Sequence, residues 1–458
     1  MHSKIIVELV FLASCVITIY LILRRPYLYI RLGIRRVRLD TYFIGALLSP
    51  LLLIVLGLLD YNQIMRGLKG EAGLNPFGIL VLFLSMVFMS IFLDITGFFE
   101  YCARLALSYS RGDGKRLFFS MYMTVSILTI FTSNDIIILT FTPFIYYLAR
   151  NAGIDPKPYL IAEFFAANTW SMMLYIGNPT NIILASAFHL YFDEYLRWML
   201  LPALTAGFVN MILLYLLFKK RINQPLRYIK IIKPSEAITD HVGAVLGVTI
   251  LIGCIVTLAL APYLGIDMWV ISLSFALLLL LILLTRDSYH AILRRHLDKK
   301  TTMIKPTIKR MPLGIIPFVV SLFITVEALR VYNIIDDIGG LLTNLINTNN
   351  TLSVFIVGVS SAFTANILNN IPMTVAYVPL ISALPETTTL SATLATAIGS
   401  NLGANITPIG ALAGIMWMSI LREKEVKISF LEFMKYGLIV TPVTLLLCLV
   451  VLGLQFMV

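Results

Sequence analysis

The sequence predicts an all-α polytopic membrane protein made of two inverted-topology repeats, with ten full spans, two re-entrant hairpins and two broken helices. Three observations predict it. Of 458 residues, 59% are apolar and 13% charged, with a mean hydropathy of +0.90, well outside the range of soluble domains. Lys and Arg cluster in short segments between apolar runs, as cytoplasmic loops do. Motifs of the first half also return in the second at a fixed offset: Asn134 and Asn369 differ by 235, Asn168 and Asn401 by 233, Gly177 and Gly410 by 233.

In chain order, apolar runs long enough to span lie near Ile5–Leu23, Tyr42–Leu59, Gly78–Phe98, Leu160–Leu190 and Trp198–Phe218. In the second half they lie near Val242–Leu264, Met268–Leu284, Leu313–Leu329, Ser391–Leu421 and Phe433–Met457. Leu12-Ala13-Ser14-Cys15 looks like a lipoprotein cleavage box, but its apolar run continues to Leu23 and stops at Arg24-Arg25. The segment is therefore expected to stay as the first span. The run 160–190 would reach about 46 Å as one helix, against a hydrocarbon core of about 30 Å, so Gly177-Asn178-Pro179 is expected to break it. The run 391–421 is expected to break likewise. Leu117–Phe131 with Ile136–Ala149, and Leu352–Leu368 with Ile371–Ala383, have arms that reach only about 20 to 25 Å and are expected to turn back as hairpins.

This arrangement puts 30 of 35 Lys and Arg on one side, the cytoplasmic one, which requires each hairpin to return to its starting side. The repeats are 1–225, with hairpin 117–149 and broken span 160–190, and 241–458, with hairpin 352–383 and broken span 391–421. Residues 226–240 form a cytoplasmic linker. The first repeat begins outside and the second inside, both termini are extracellular, and the location is the cell membrane. The net charge of +11 belongs to the loops, so no nucleic-acid partner is expected. Cys15, Cys102, Cys254 and Cys448 are far apart, and the five histidines are scattered without HExxH. No cofactor, metal site or enzymatic activity is expected.

Inverted repeats with broken helices are a signature of secondary transporters. Asn134-Asp135, Asn178-Pro179, Asn369-Asn370-Ile371-Pro372 and Thr407-Pro408 all read as helix N-termini, where Asn, Asp or Thr caps free N–H groups and Pro loses no hydrogen bond. Symmetry would bring these four ends together, each with partial positive charge and unpaired donors. The expected substrate-binding residues are Ser133, Asn134, Gly177, Asn178, Thr180, Asn181, Asn369, Asn370, Asn401, Asn405 and Thr407. Asp135, Asp94 and Glu327 fall within apolar stretches, where a charge costs about 2.5 to 3.5 kcal/mol. They are the expected ion-coupling residues, Asp135 first. Asp94 and Glu327 hold similar places in the two halves, 41 residues before Asp135 and 42 before Asn369. Glu163 and His189 are expected near the interface.

These motifs, with Gly177-Asn178-Pro179-Thr180-Asn181 and Gly399-Ser400-Asn401-Leu402-Gly403-Ala404-Asn405 running on to Met416-Trp417, resemble the arsenite permease branch of the ion transporter superfamily. The superfamily also includes dicarboxylate and citrate carriers and sodium/proton antiporters. The resemblance implies a scaffold around a core of two hairpins and two broken helices. It also implies arsenite or antimonite efflux coupled to proton antiport. The alternatives are sodium/proton antiport and sodium-coupled di- or tricarboxylate symport. Implied partners are a small inorganic or carboxylate solute, a proton or sodium ion, lipid and, in this branch, a separate ATPase subunit; a homodimer is compatible. Dicarboxylate carriers typically have Ser-Asn-Thr at the hairpin tips, whereas these tips read Ser133-Asn134-Asp135 and Leu368-Asn369-Asn370.

Overall fold

The computed structural model describes residues 2–25, 27–32, 35–70, 75–224, 233–293, 302–346 and 348–457. The first half contains α1 (His2–Arg24), a β-hairpin of β1 (Tyr27–Leu32) and β2 (Arg35–Asp40), α2 (Tyr42–Val55), α3 (Tyr61–Lys69), α4 (Pro76–Ile95) and α5 (Phe98–Ser110). It continues through α6 (Gly114–Phe131), α7 (Asn134–Ala152), α8 (Lys157–Trp170), α9 (Pro179–Ala187) and α10 (Phe192–Ile222). The second half contains α11 (His241–Ala259), α12 (Ala261–Leu264), α13 (Met268–Leu293), α14 (Ile304–Arg310), α15 (Ile315–Val331) and α16 (Ile334–Ile346). It ends with α17 (Asn350–Leu368), α18 (Asn370–Ser382), α19 (Glu386–Gly403), α20 (Leu412–Glu423) and α21 (Phe430–Gln455).

Helices begin where a short polar residue precedes an apolar run. Asn75, Asp113, Asp240, Asn349 and Ser429 each accept a backbone N–H of the helix that follows, satisfying donors that the first turn leaves unpaired. Asp60 and Gln63 form a reciprocal capping box at α3. Both broken spans are present: α8 and α9 are separated by a 3-10 turn at Tyr175–Gly177, and α19 and α20 by residues 404–411.

Among the described residues, eight helical segments are long and apolar enough to cross a membrane. Seven are expected spans; the eighth is α17, an expected hairpin arm. Of the other expected spans, two are the broken ones and one is α2, a helix of 14 residues. The hairpin arms are longer than expected. α6, α7 and α17 have 18, 19 and 19 residues and only α18 has 13. The first three reach about 27 to 29 Å, so arm length does not make them too short to cross.

Two other differences concern connections. β1 and β2 pair antiparallel, with Arg36 opposite Arg31 and Arg35 opposite Leu32, where the charge run of residues 24–38 suggested a loop. The described part of the linker is docked: Thr239 N donates to Thr96 O at 2.9 Å, and Gly97, at φ +87°, lies where a Cβ would come 2.0 Å from Ala237 O. No residue with a side chain fits there. Residues 225–232 lie outside the described residues.

The centre of the fold is the contact of α17 with α19. A Cβ at Gly399 would meet Gly358 O at 2.5 Å and one at Gly403 would meet Ala362 O at 2.5 Å. Small residues let these two backbones touch. α19 in turn lies against α8, α9 and α18, and α8 against α6 and α7, which brings both breaks and both hairpins to one place.

Candidate functional site

Asn178 caps α9 as expected, its Oδ1 accepting from Thr180 N at 3.1 Å, with Pro179 in the first turn. Gly177 is needed for the close turn before it, since a Cβ there would stand 2.4 Å from Ser171 O. At the first hairpin tip, α7 starts at Asn134, whose Oδ1 accepts from Asp135 N at 2.9 Å. At the second, Asn369 precedes α18 and its Oδ1 accepts from Ile371 N at 3.4 Å. The fourth expected end is not a helix start: α20 begins at Leu412 after an uncapped Ala411. Thr407 instead donates to Asn366 Oδ1 at 2.6 Å, within a turn closed by Gly410 N to Thr407 O.

Amide side chains join these elements into a buried network. From the first tip, Asn134 Nδ2 donates to Asn168 Oδ1 at 3.0 Å, Asn168 Nδ2 to Asn405 Oδ1 at 3.2 Å, and Asn405 Nδ2 to Thr169 Oγ1 at 3.3 Å. Asn401 is a hub. Its Oδ1 accepts from Ser171 Oγ at 2.8 Å and Asn178 Nδ2 at 2.9 Å, and its Nδ2 donates to Asn181 Oδ1 at 2.7 Å. The Thr180 and Ser400 hydroxyls lie 3.1 Å apart. The second tip joins through Asn369 Nδ2 to Ile409 O at 3.0 Å and Asn370 N to Gly410 O at 2.9 Å. Each such bond contributes about 1 kcal/mol when made and costs more when one partner is removed. Asn168, Thr169 and Ser171, which the sequence reading did not place in the site, are members of this network.

Two features set the tips apart from ordinary packing. Asn369 adopts φ 74°, ψ 152°, a conformation otherwise used by glycine, at a cost of about 1 to 3 kcal/mol. Ser133 Oγ and Asn370 Oδ1 are buried without a hydrogen-bond partner among the described residues.

The carboxylates occupy different surroundings. Asp135 is 8% exposed and lines a cavity of about 40 Å³ with Thr140, Arg310 and Met416. Among the described residues, no hydrogen bond or ion pair is found to its carboxyl. Asp94 lies 2.5 Å from Arg310 Nη2 and lines a cleft of about 690 Å³ that also includes Thr140 and Arg310. It is thus linked to the Asp135 cavity through Arg310 and not through the tip itself. Glu327 accepts from Arg66 Nε at 3.0 Å, lies 3.3 Å from Arg330 Nε, and lines a cleft of about 250 Å³ beside Val378 and Pro379 of α18. Glu163 is packed inside the protein. It is 1% exposed, its Oε1 accepts from Thr142 at 2.8 Å, and its Oε2 has no hydrogen-bond partner among the described residues. Its place in an apolar run gave the only sequence signal. His189 lines a cavity with Asn75, Asp267 and Trp269.

A family model described as citrate transporter (CitMHS) matches residues 35–392. The chain is 28% identical over 383 residues to an arsenical pump membrane protein of Escherichia coli K12, covering 81% of this chain and 85% of that one. It is 27% identical over 385 residues to one of Yersinia enterocolitica, with the same coverage. It is 26% identical over 400 residues to an uncharacterised transporter of Mycobacterium tuberculosis, covering 85% and 88%. The crystal structure of the Alcanivorax borkumensis YdaH transporter, described as having an unusual topology, superposes with a TM-score of 0.54 at 15% identity, covering 100% of this chain and 98% of that one. The long apolar helices, the two broken spans and these likenesses converge: the chain is a multi-pass membrane transporter and belongs to the citrate transporter (CitMHS) family of the ion transporter superfamily.

Proposed function

We propose that the protein is a secondary active transporter that exports arsenite or antimonite across the cell membrane in exchange for protons. The solute is held by the amide network and the unpartnered Ser133 and Asn370, and the proton by Asp135. The observation that carries this reading is the Asp135 carboxyl, which stands beside the network, lacks a hydrogen-bonded or ionic partner among the described residues, and faces about 40 Å³ of space. That volume suits a water or an ion and is too small for a drug-sized solute. A carboxylate there repels a bound carboxylate by about 4 kcal/mol at 4 Å with an effective dielectric near 20, whereas neutral arsenous acid meets no such repulsion. The likeness to arsenical pump membrane proteins supports the same substrate.

This reading includes two inverted repeats with both termini outside and hairpins α6–α7 and α17–α18 that return to the side they enter. The fixed sequence offset and the positive-inside distribution support it. Accessibility of single cysteines in residues 104–116 and 150–157 tests it, since both stretches should label only from the cytoplasmic side.

The citrate transporter family match favours a second reading, sodium-coupled uptake of a di- or tricarboxylate, with the sodium ion neutralising Asp135. Flux into proteoliposomes separates the two. Arsenite flux driven by a proton gradient and indifferent to sodium supports export in exchange for protons. Citrate or succinate flux that requires sodium overturns it, and sodium/proton exchange with no solute points to an antiporter.

A further inference from the structure

Arg310 stands where two cavities meet. It lines the cleft of about 690 Å³ with Asp94 and the cavity of about 40 Å³ with Asp135, and Thr140 borders both. Its guanidinium is committed to Asp94 at 2.5 Å. We infer that Arg310 is the counter-ion Asp135 takes up when it ionises, exchanging between Asp94 on α4 and Asp135 on α7. The inference rests on the reading of Asp135 as the proton carrier and adds the residue that makes its ionised form tolerable.

The other half of the molecule supplies the contrast. Asn370 is the counterpart of Asp135 and Glu327 that of Asp94, at offsets of 235 and 233. Glu327 is held by both Arg66 and Arg330, and its hairpin tip carries no acid. Where the tip does carry an acid, one guanidinium lines a cavity with each of two carboxylates. A buried carboxylate without a cation costs several kcal/mol, so a shared arginine can balance only one of the two at a time.

Lys305 and Lys309 precede Arg310 on α14. Glu100 and Arg104 of α5 pair with each other. On α13, Arg286 pairs with Asp240 at 2.7 Å, and Asp287 accepts the Met303 and Ile304 N–H groups at 3.1 and 3.2 Å. Glu163 of α8 bonds Thr142 and Lys157 pairs with Glu432 at 2.9 Å. Lys115 and Arg116 begin α6 at the end away from the tip, and Arg422 and Glu423 end α20.

The test is the titration of Asp135, read as the carboxylic-acid infrared band of the purified protein in lipid that disappears in D135N. Opposite shifts are expected. D94N releases Arg310 and should move the midpoint down by about one pH unit or more, because a nearby cation favours the ionised acid; R310Q should move it up. The double variant should follow R310Q. If D94N and R310Q move the midpoint in the same direction, or leave it in place, the exchange is wrong while the carrier role of Asp135 stands. If D135N removes no band, the carrier reading itself fails, and with it this inference. If R310Q does not fold, D94N alone decides by the sign of its shift.

Discussion

Arg66 Nε lies 3.0 Å from Glu327 Oε1 and ties α3 to α15 across 261 positions of sequence. Arg310 and Asp94 tie α14 to α4 in the same way at 2.5 Å. Each half thus places a short basic helix ahead of its third long helix, and each of these helices reaches the carboxylate of the other half. These two ion pairs each cross-link one half to the other.

The two pairs should nevertheless respond differently to mutation. E327Q leaves two partly exposed arginines without their acid and should cost about 1 to 2 kcal/mol, between the values for surface and buried pairs. It should leave the pH profile of transport in place, because Asn370, at the neighbouring tip, does not titrate. Thermal unfolding in detergent and flux against pH check the two halves of the statement. A displaced profile in E327Q would show that the second half also carries an ionisable relay.

Asn401 joins both broken spans. N401A removes one acceptor and one donor and leaves Ser171, Asn178 and Asn181 short of partners in a buried site. The expected loss is about 3 kcal/mol, since each orphaned polar group costs about 1 to 3, together with loss of transport. S400A, which removes the hydroxyl's contacts with Thr180 at 3.1 Å, Ala397 O at 3.0 Å and Asn401 Nδ2 at 3.3 Å, should cost about 1 to 2 kcal/mol. Equal losses in the two variants would mean that Asn401 is not the hub.

The first half of this site was legible because its breaks carry visible chemistry: Asn178-Pro179 both caps and removes a donor, and the 31-residue run around it is too long for one crossing. The second break was legible only in part. Thr407-Pro408 has the same form, but Thr407 bonds Asn366 and the chain takes eight non-helical residues before α20. Ile409 to Leu412 is apolar throughout and marks no boundary. The β-hairpin went unread because Arg31, Arg35, Arg36 and Arg38 give the composition of a loop while the pairing is made by the backbone. The ion-pair exchange and the burial of Glu163 depend on residues far apart in sequence, which no local pattern encodes.

Glu163 offers a third prediction. It has no ion-pair partner among the described residues and one bare oxygen, so E163Q keeps the hydrogen bond from Thr142 and should change stability by less than about 1 kcal/mol. E163A leaves the Thr142 hydroxyl unpaired and opens a cavity, and should cost about 2 to 4 kcal/mol. Unfolding of both variants in detergent measures the difference. An E163Q loss as large as that of E163A would require an ionised carboxylate at this position.

The last prediction concerns the backbone at Asn369. Its φ of 74° with ψ 152° costs about 1 to 3 kcal/mol for a residue with a Cβ and almost nothing for glycine. The asparagine offsets that cost through Nδ2 to Ile409 O and Oδ1 from Ile371 N. N369A keeps the strain and loses both bonds, so it should fall about 2 to 3 kcal/mol below the native protein. N369G loses the same bonds but also the strain, and should lie within about 1 kcal/mol of it. Both should lose transport, because the amide that fixes the tip is gone in each. Equal stability of the two variants would place the tip in an unstrained conformation, and transport surviving in N369G would mean that the tip's backbone, and not its side chain, meets the solute.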